Sequence, residues 1–229
     1  MSKVKSVSAG SLSAKARKGK ISEIFFSVQG EGPFAGAPSN FVRFYGCPYR
    51  CPYCDTMYAV RGNKFTEMTA GEIGKKLRKG FPVVITGGEP TFQIEFLKHL
   101  VKNLKGFEIH LETAGFSFSE NFAEFFGFIS FHINPPFSGR HKKFIEKIAK
   151  TDFCVKIVVD ENVSLKFVSS AANFLRGFEK GFLILQPASF GKKIPKKNVE
   201  KTMKLVRKIY PRFSRLRFIP QIHKFLNLK

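Results

Sequence analysis

The chain has 229 residues, with 39 Lys plus Arg against 17 Asp plus Glu, a formal net charge of +22 at pH 7. That length suits one domain with a substantial core, and the charge excess raises affinity for nucleic acid and other polyanions without requiring such a partner. No apolar run approaches the roughly 18 residues of a membrane span, which excludes an integral helical membrane protein and leaves a soluble, cytoplasmic one as the expectation.

Residues 1–20 are rich in Ser, Ala, Gly, Lys and Arg and contain no acid, so they cannot form a core and are expected to be a flexible basic extension ahead of one domain at 21–229. They share the composition of a transit peptide but lack the apolar h-region of a secretory signal, so targeting stays open beside the flexible arm. Strands are expected at 41–45, 81–85, 107–111, 128–133, 153–159, 182–185 and 217–219. Between them, Thr69 and Glu72 form a capping-box opening for a helix over 69–79, and apolar periodicity predicts helices at 94–104, 118–126, 141–149, 165–175 and 197–210. In the last of these, Lys197, Lys201, Lys204 and Lys208 fall on one solvated face. Strand alternating with helix means α/β architecture, with parallel strands joined by right-handed crossovers. With 28 Phe and no Trp, Phe is the main aromatic filler of the expected core.

Three of the four cysteines, Cys47, Cys51 and Cys54, lie within eight residues in a Cys-x3-Cys-x2-Cys pattern, which suits a metal centre in a reducing compartment better than a disulfide framework. Three thiolates hold three irons of a 4Fe-4S cluster and leave the fourth open, whereas structural zinc requires four closed ligands. A zinc site would need His110, His132 or Cys154 to complete it. Cys154 sits in an apolar strand pattern and reads as an inert core thiol.

Other motifs surround this loop. Val28, Gln29, Gly30, Glu31 and Gly32 lie upstream, followed by the segment from Asn40 to Gly46 that contains Arg43. Downstream come Thr86, Gly87, Gly88, Glu89 and Pro90, then Glu112 and Thr113, the Asn134, Pro135, Pro136 turn, Gln186 with Pro187, and residues 219–224 (Ile-Pro-Gln-Ile-His-Lys). Several fall just beyond expected strand ends, where the chemistry of parallel α/β folds collects. From about residue 21 onward the sequence resembles the 7-carboxy-7-deazaguanine synthases, radical S-adenosylmethionine enzymes of 7-deazapurine biosynthesis on the route to queuosine and archaeosine.

The resemblance implies a partial, open (β/α) barrel of parallel strands. It also implies a 4Fe-4S cluster, S-adenosylmethionine, Mg2+, an external one-electron donor of flavodoxin or ferredoxin type, and a homodimer. The reaction implied is radical ring contraction of 6-carboxy-5,6,7,8-tetrahydropterin to 7-carboxy-7-deazaguanine with loss of ammonia. By position, Cys47, Cys51 and Cys54 would hold the cluster and Thr56 the magnesium. The cofactor would meet Tyr53, Asp55, Gly87, Gly88, Glu89, Thr113, His132, Asn134 and Gln186. The pterin would meet Val28, Gln29, Gly30, Glu31, Arg43 and Thr86. The chain departs from the family at His132, Ile133 and Asn134, where Ser-Pro-Lys is usual; backbone contacts survive that change and a lysine charge does not. Two other readings stand beside this one: a glycyl-radical-enzyme activase, which shares the cysteine loop, and a metal-stabilised RNA-binding module suggested by charge.

Overall fold

A computed structural model describes residues 17–119, 121–191 and 193–228. Its elements in chain order are β1 (Lys18–Val28), β2 (Pro38–Phe44), α1 (Met57–Arg61), β3 (Thr66–Thr69), α2 (Ala70–Gly74), β4 (Val83–Gly87), α3 (Ile94–Asn103) and β5 (Ile109–Thr113). There follow β6 (Phe128–His132), α4 (Gly139–Ile148), β7 (Asp152–Val159), α5 (Leu165–Leu175), β8 (Phe182–Pro187), α6 (Lys196–Ile209), β9 (Leu216–Phe218) and α7 (Ile222–Phe225).

The strands form one sheet in the order β3-β1-β2-β4-β5-β6-β7-β8-β9, parallel from β2 to β9 and open, because β3 and β9 remain as its edges. This is the expected partial barrel with an antiparallel addition: β1 pairs with both β2 and β3 in antiparallel register. Continuous apolar runs make the central strands buried on both faces, as in β7, where every residue after Asp152 is buried. Helices cover the sheet with amphipathic faces; α3 buries Phe96, Leu97, Leu100 and Val101 and leaves Glu95 and Lys102 to solvent. Phe fills much of this core, with Phe131 stacked on Phe144 at 4.1 Å between ring centroids.

Four expectations need correction. The strand β1 begins at Lys18, inside the segment expected to be flexible, and Gly19 lies so close to the Phe96 ring that a Cβ there would come within 2.0 Å of it. The rest of the expected basic arm, residues 1–16, lies outside the described residues. Strand β1 carries Lys18, Lys20 and Glu23 and β3 is four residues long; β1 forms on the edge of β2 and β3 on the edge of β1, which local patterning does not reveal. Among the described residues of 118–126 there is no α-helix: Asn121 takes φ of 63° and a 3-10 turn stands at Ala123–Phe125, while Phe118, Phe122 and Phe144 cluster. The helix opened by the Thr69 and Glu72 capping box stops at Gly74, where Lys76 N and Leu77 N turn to carbonyls three residues back.

Candidate active site

The cysteine loop leaves β2 at its C-terminal end. Gly46 turns it with φ of 92°, its N–H donating to Ala59 O at 2.7 Å and its carbonyl accepting from Glu89 N at 2.9 Å. The Arg50 guanidinium donates to the carbonyls of Cys47 and Tyr49, each at 2.7 Å, and Cys54 N closes a turn to Cys51 O at 3.1 Å. These contacts hold Cys47, Cys51 and Cys54 along one side of a cavity of about 400 Å³ at the strand ends. Burial pushes the Cys47 thiol up to about 11 and raises that of Cys51, so a bound metal must displace their protons. Cys154 is apart from them, fully buried beside Phe128 and Ile184, and burial takes its thiol up to about 12. It is the inert core thiol expected.

The end of β4 forms the adjoining wall. A Cβ on Gly88 would stand 2.2 Å from Gly46 O and 3.1 Å from Cys47 Cβ, so absence of a side chain is what lets the two loops touch. Gly87 has φ of 138°, and its N-side neighbour Thr86 faces the cavity. Glu89 is 2% exposed; its Oε1 accepts from Thr91 N (2.9 Å), Thr91 Oγ1 (2.6 Å) and Thr113 Oγ1 (2.5 Å), and its Oε2 accepts from Ala114 N (2.7 Å). Glu89 therefore clamps β4 to β5 while Oε2 keeps acceptor capacity toward the cavity it lines. Burial raises its carboxyl against those donors.

The residues assigned by resemblance line this cavity, with Asn134 reaching it through Tyr53. The Tyr53 hydroxyl donates to Asn134 Oδ1 at 2.5 Å and lies 3.2 Å from His132 Nε2. Burial and then the nearby Lys156 charge lower the His132 imidazole to about 3, keeping it neutral at ordinary pH. Gln186, 2% exposed on β8, has a buried Oε1 with no hydrogen-bond partner among the described residues. Arg43 on β2 donates from Nε to Glu23 at 2.8 Å, with its guanidinium 5.5 Å from the Phe25 ring; Glu23 also accepts from Tyr58 Oη at 2.6 Å. Its cation is thus held by an acidic partner that the motif reading did not include.

Several other residues complete the cavity without having been assigned roles. The carboxylates of Glu31 and Glu112 both meet Lys156 Nζ, Glu112 at 3.0 Å. Gln221 Nε2 donates to Glu31 Oε1 at 2.5 Å and to Asp55 Oδ2 at 3.2 Å, and Lys224 Nζ donates to Asp55 at 2.9 Å and to Ser189 Oγ at 2.6 Å. Burial would raise the Asp55 carboxyl, but His223 and Lys224 outweigh it and hold it well below its usual range. Asp55 therefore ties the cysteine loop to α7, and Ile222 N donates to Gly30 O at 2.9 Å to close α7 over the β1 loop. His223 packs where a Cβ on Gly30 would be, 1.9 Å from its Nδ1. The 219–224 motif pointed to this segment without naming roles. Lys156 had a readable signal: a lone charge inside the apolar run of β7, which burial tolerates only with a partner.

Three cysteines with no further cavity-facing thiol among the described residues fit a three-ligand iron–sulfur cluster better than closed zinc coordination. The close glycine pair, the Glu89 Oε2 acceptor and the orphaned Gln186 Oε1 fit a ligand carrying an ammonium and other donor groups, as S-adenosylmethionine does. Thr56 Oγ1, 3.7 Å from Cys54 Sγ, offers only one neutral oxygen, and magnesium there requires oxygens from water and substrate.

Residues 41–154 match the Radical SAM superfamily. The 7-carboxy-7-deazaguanine synthase of Aquifex aeolicus is 34% identical over 220 residues, covering 91% of this chain and 94% of that protein. The enzyme of the same name from Thermoplasma acidophilum is 34% identical over 223 residues, covering 90% and 96%. The crystal structure of QueE from Escherichia coli shares the fold with a TM-score of 0.64 at 22% identity, across 90% of this chain and 95% of that one. With relatives aligned along nearly their whole length and the three cysteines on the wall of one cavity, the chain belongs to the 7-carboxy-7-deazaguanine synthase family of radical S-adenosylmethionine enzymes.

Proposed function

We propose that this cavity converts 6-carboxy-5,6,7,8-tetrahydropterin to 7-carboxy-7-deazaguanine, with ring contraction and loss of ammonia. The observation that carries the reading is that the three-thiol loop, the Gly87, Gly88 and Glu89 turn, and the Gln29 to Glu31 loop with Arg43 all line the same cavity. Cys47, Cys51 and Cys54 would hold the 4Fe-4S cluster, and Thr56 would contribute to a magnesium shell whose remaining oxygens come from substrate and water. When bound, the reduced cluster and S-adenosylmethionine supply the radical that starts the reaction by removing a hydrogen atom from the substrate.

The protein's part is orientation. Arg43 suits a carboxylate because guanidinium presents paired donors, and Glu23 fixes where that fork points. Glu31, kept ionised by Lys156, offers acceptor oxygens to the N–H-rich edge of a pterin. The Ile222 N–H to Gly30 carbonyl bond brings α7 against the loop after β1 at the far side of the cavity, whose volume of about 400 Å³ suits a small heterocycle better than the polypeptide an activase must admit. The reading extends to a cytoplasmic homodimer reduced by a small one-electron carrier.

Anaerobic incubation of the reconstituted protein with S-adenosylmethionine, a reductant and the carboxypterin tests it, with products identified by mass spectrometry. The expected product is 7-carboxy-7-deazaguanine with one ammonia released. Cleavage of S-adenosylmethionine that leaves the pterin intact would reject the substrate while keeping the radical chemistry.

A further inference from the structure

Lys156 is the least expected residue of the cavity. It sits in β7, 8% exposed, in a strand whose other residues after Asp152 are nearly all apolar, and it reaches two carboxylates from two other parts of the chain. One is Glu31, on the loop after β1; the other is Glu112, on β5, with Oε2 at 3.0 Å. The remaining Glu112 oxygen accepts from Gln29 Nε2 at 3.4 Å, and Gln29 Oε1 in turn accepts the N–H groups of Gly30 (2.9 Å) and Glu31 (3.3 Å). The Gln29 side chain is therefore committed at both ends inside the protein. It staples the loop instead of pointing a free amide at a ligand.

We propose that Lys156 is the positioning residue of the pterin site: it anchors the Gln29 to Glu31 loop directly through Glu31 and indirectly through Glu112 and Gln29, so that Glu31 is presented as a fixed, ionised acceptor to the amino-pyrimidinone edge of the substrate. The inference rests on the substrate reading above for its ligand, but the anchoring itself does not. Two carboxylates brought this close in a desolvated place repel each other, and one cation between them removes the repulsion and fixes both. Gln221, donating to Glu31 Oε1 at 2.5 Å, is neutral and could not replace that charge. The other charged or titratable groups near Glu31 and Lys156 are Asp55, already engaged by Lys224, His223, within 4.8 Å of both Glu31 and Asp55, the Tyr53 phenol, the neutral His132, and the buried Cys154 thiol. Of these only His223 can add a positive charge, and its Nε2 faces Asp55 at 4.0 Å and has no contact with Glu112.

Removing the cation should change how the site responds to pH, which a purely structural residue would not do. In the parent, Lys156 is the group that holds Glu31 ionised despite burial, so carboxypterin affinity should vary little between pH 6 and 9. In Lys156→Met, Glu31 loses the cation that offsets its burial, so its carboxyl should rise and be protonated over more of this range. Affinity at pH 7 should then drop roughly ten- to hundredfold and recover as the pH rises toward 9. Lys156→Arg, which keeps the charge, should regain part of the affinity and flatten the profile. Iron and sulfide content, and binding of S-adenosylmethionine, should stay within about twofold of the parent, since Lys156 touches neither the cysteine loop nor the Gly87 and Gly88 turn.

Calorimetric titration of the cluster-loaded protein with carboxypterin across that pH range reads the affinity, and amide hydrogen exchange at residues 29–31 reads the loop without any ligand. The Glu112→Gln, Lys156→Met pair removes one charge of each sign and serves if the single variant does not fold; its loop should exchange faster than the parent's, and its affinity should still depend on pH because Glu31 remains buried without its cation. Faster exchange at 29–31 together with the new pH dependence supports the proposal. Unchanged exchange at these amides overturns it whatever the ligand. A parent that fails to bind carboxypterin rejects the substrate reading, and the exchange result alone then decides the role of Lys156.

Discussion

The two walls of the cavity are built on different plans. On one side, the cysteine loop and the Gly87, Gly88 and Glu89 turn are continuous stretches of chain, each held by its own backbone contacts and by glycines that let the loops touch. On the other, the wall is assembled from single side chains drawn from distant elements: Lys156 on β7, Gln186 on β8, Ser189 after it, and Gln221, His223 and Lys224 around α7. On the proposed function, the first wall would carry chemistry that depends on spacing, because three thiolates must reach one metal cluster. The second would carry recognition and closure, which depend on charge pairing and can be met by residues from anywhere in the chain. The first wall should therefore fail abruptly when altered, whereas the second should fail by degrees.

The largest effect is expected on the cysteine wall. Replacing Cys47, Cys51 or Cys54 singly by Ala removes one of only three thiolates and should abolish a competent cluster, whereas Cys154→Ala should retain it. Iron and sulfide analysis with visible spectroscopy measures both, and cluster loss in the Cys154 variant would contradict its place in the core.

Gly88→Ala tests the same wall without touching a ligand. Its methyl would need the space of Gly46 O, 2.2 Å away, so a backbone carbonyl of the cysteine loop must move. We expect about 1–3 kcal/mol of lost stability and a reduced iron content. Unchanged urea denaturation and full cluster loading would show that the loops do not need this approach.

On the recognition wall the loss should be graded. Arg43→Ala should weaken carboxypterin binding by about 1.5–3 kcal/mol, roughly ten- to hundredfold, and Arg43→Lys should recover only part, since a point charge does not reproduce the guanidinium fork. Because Arg43 is paired with Glu23, part of the Ala effect belongs to loss of that ion pair rather than to the substrate. A double-mutant cycle with Glu23→Gln separates the two. If Arg43→Ala binds the carboxypterin as tightly as the parent, Arg43 serves Glu23 alone.

The smallest effect concerns pH. His132 is neutral in the fold, with its imidazole lowered from 6.5 to about 3, so the unfolded chain binds the extra proton between those values. Stability is therefore complete above about pH 6.5 and declines as pH falls from there toward 3. Urea titrations at pH 7.5 and 4.5 should show this decline, and His132→Gln should make it shallower. An equal slope in both proteins would mean that His132 is not shielded by its surroundings. Asp55, whose carboxyl is depressed, adds its own loss only at lower pH, below the ordinary carboxylate range.

Much of the fold was readable because local patterns sufficed for it. Apolar runs marked the parallel strands from β2 to β9 to within a few residues, and α5 was placed at 165–175, where the structure adds a Ser164 cap. The periodic Phe118, Phe122 and Phe126 misled, since their rings pack tightly around a chain that Asn121 turns out of the helix. Among site residues, Gly88 and the three cysteines were legible because spacing and the absence of a side chain are properties of the sequence. Arg43 was placed at the cavity, but its partner Glu23 was not seen, because the β1 strand that carries it was not.

What the residues by themselves determined is the set of local demands: three thiols close enough for one cluster, glycines where loops must meet, and apolar strands that must be buried in parallel. What only the tertiary structure decided is which distant charges answer one another. Lys156 stands 125 positions from Glu31 in the chain, and Gln221 stands 190 from it. No periodicity connects such positions. A buried ion pair leaves on the sequence only a charge in an apolar setting, and its partner is settled by which strand ends the open sheet brings together.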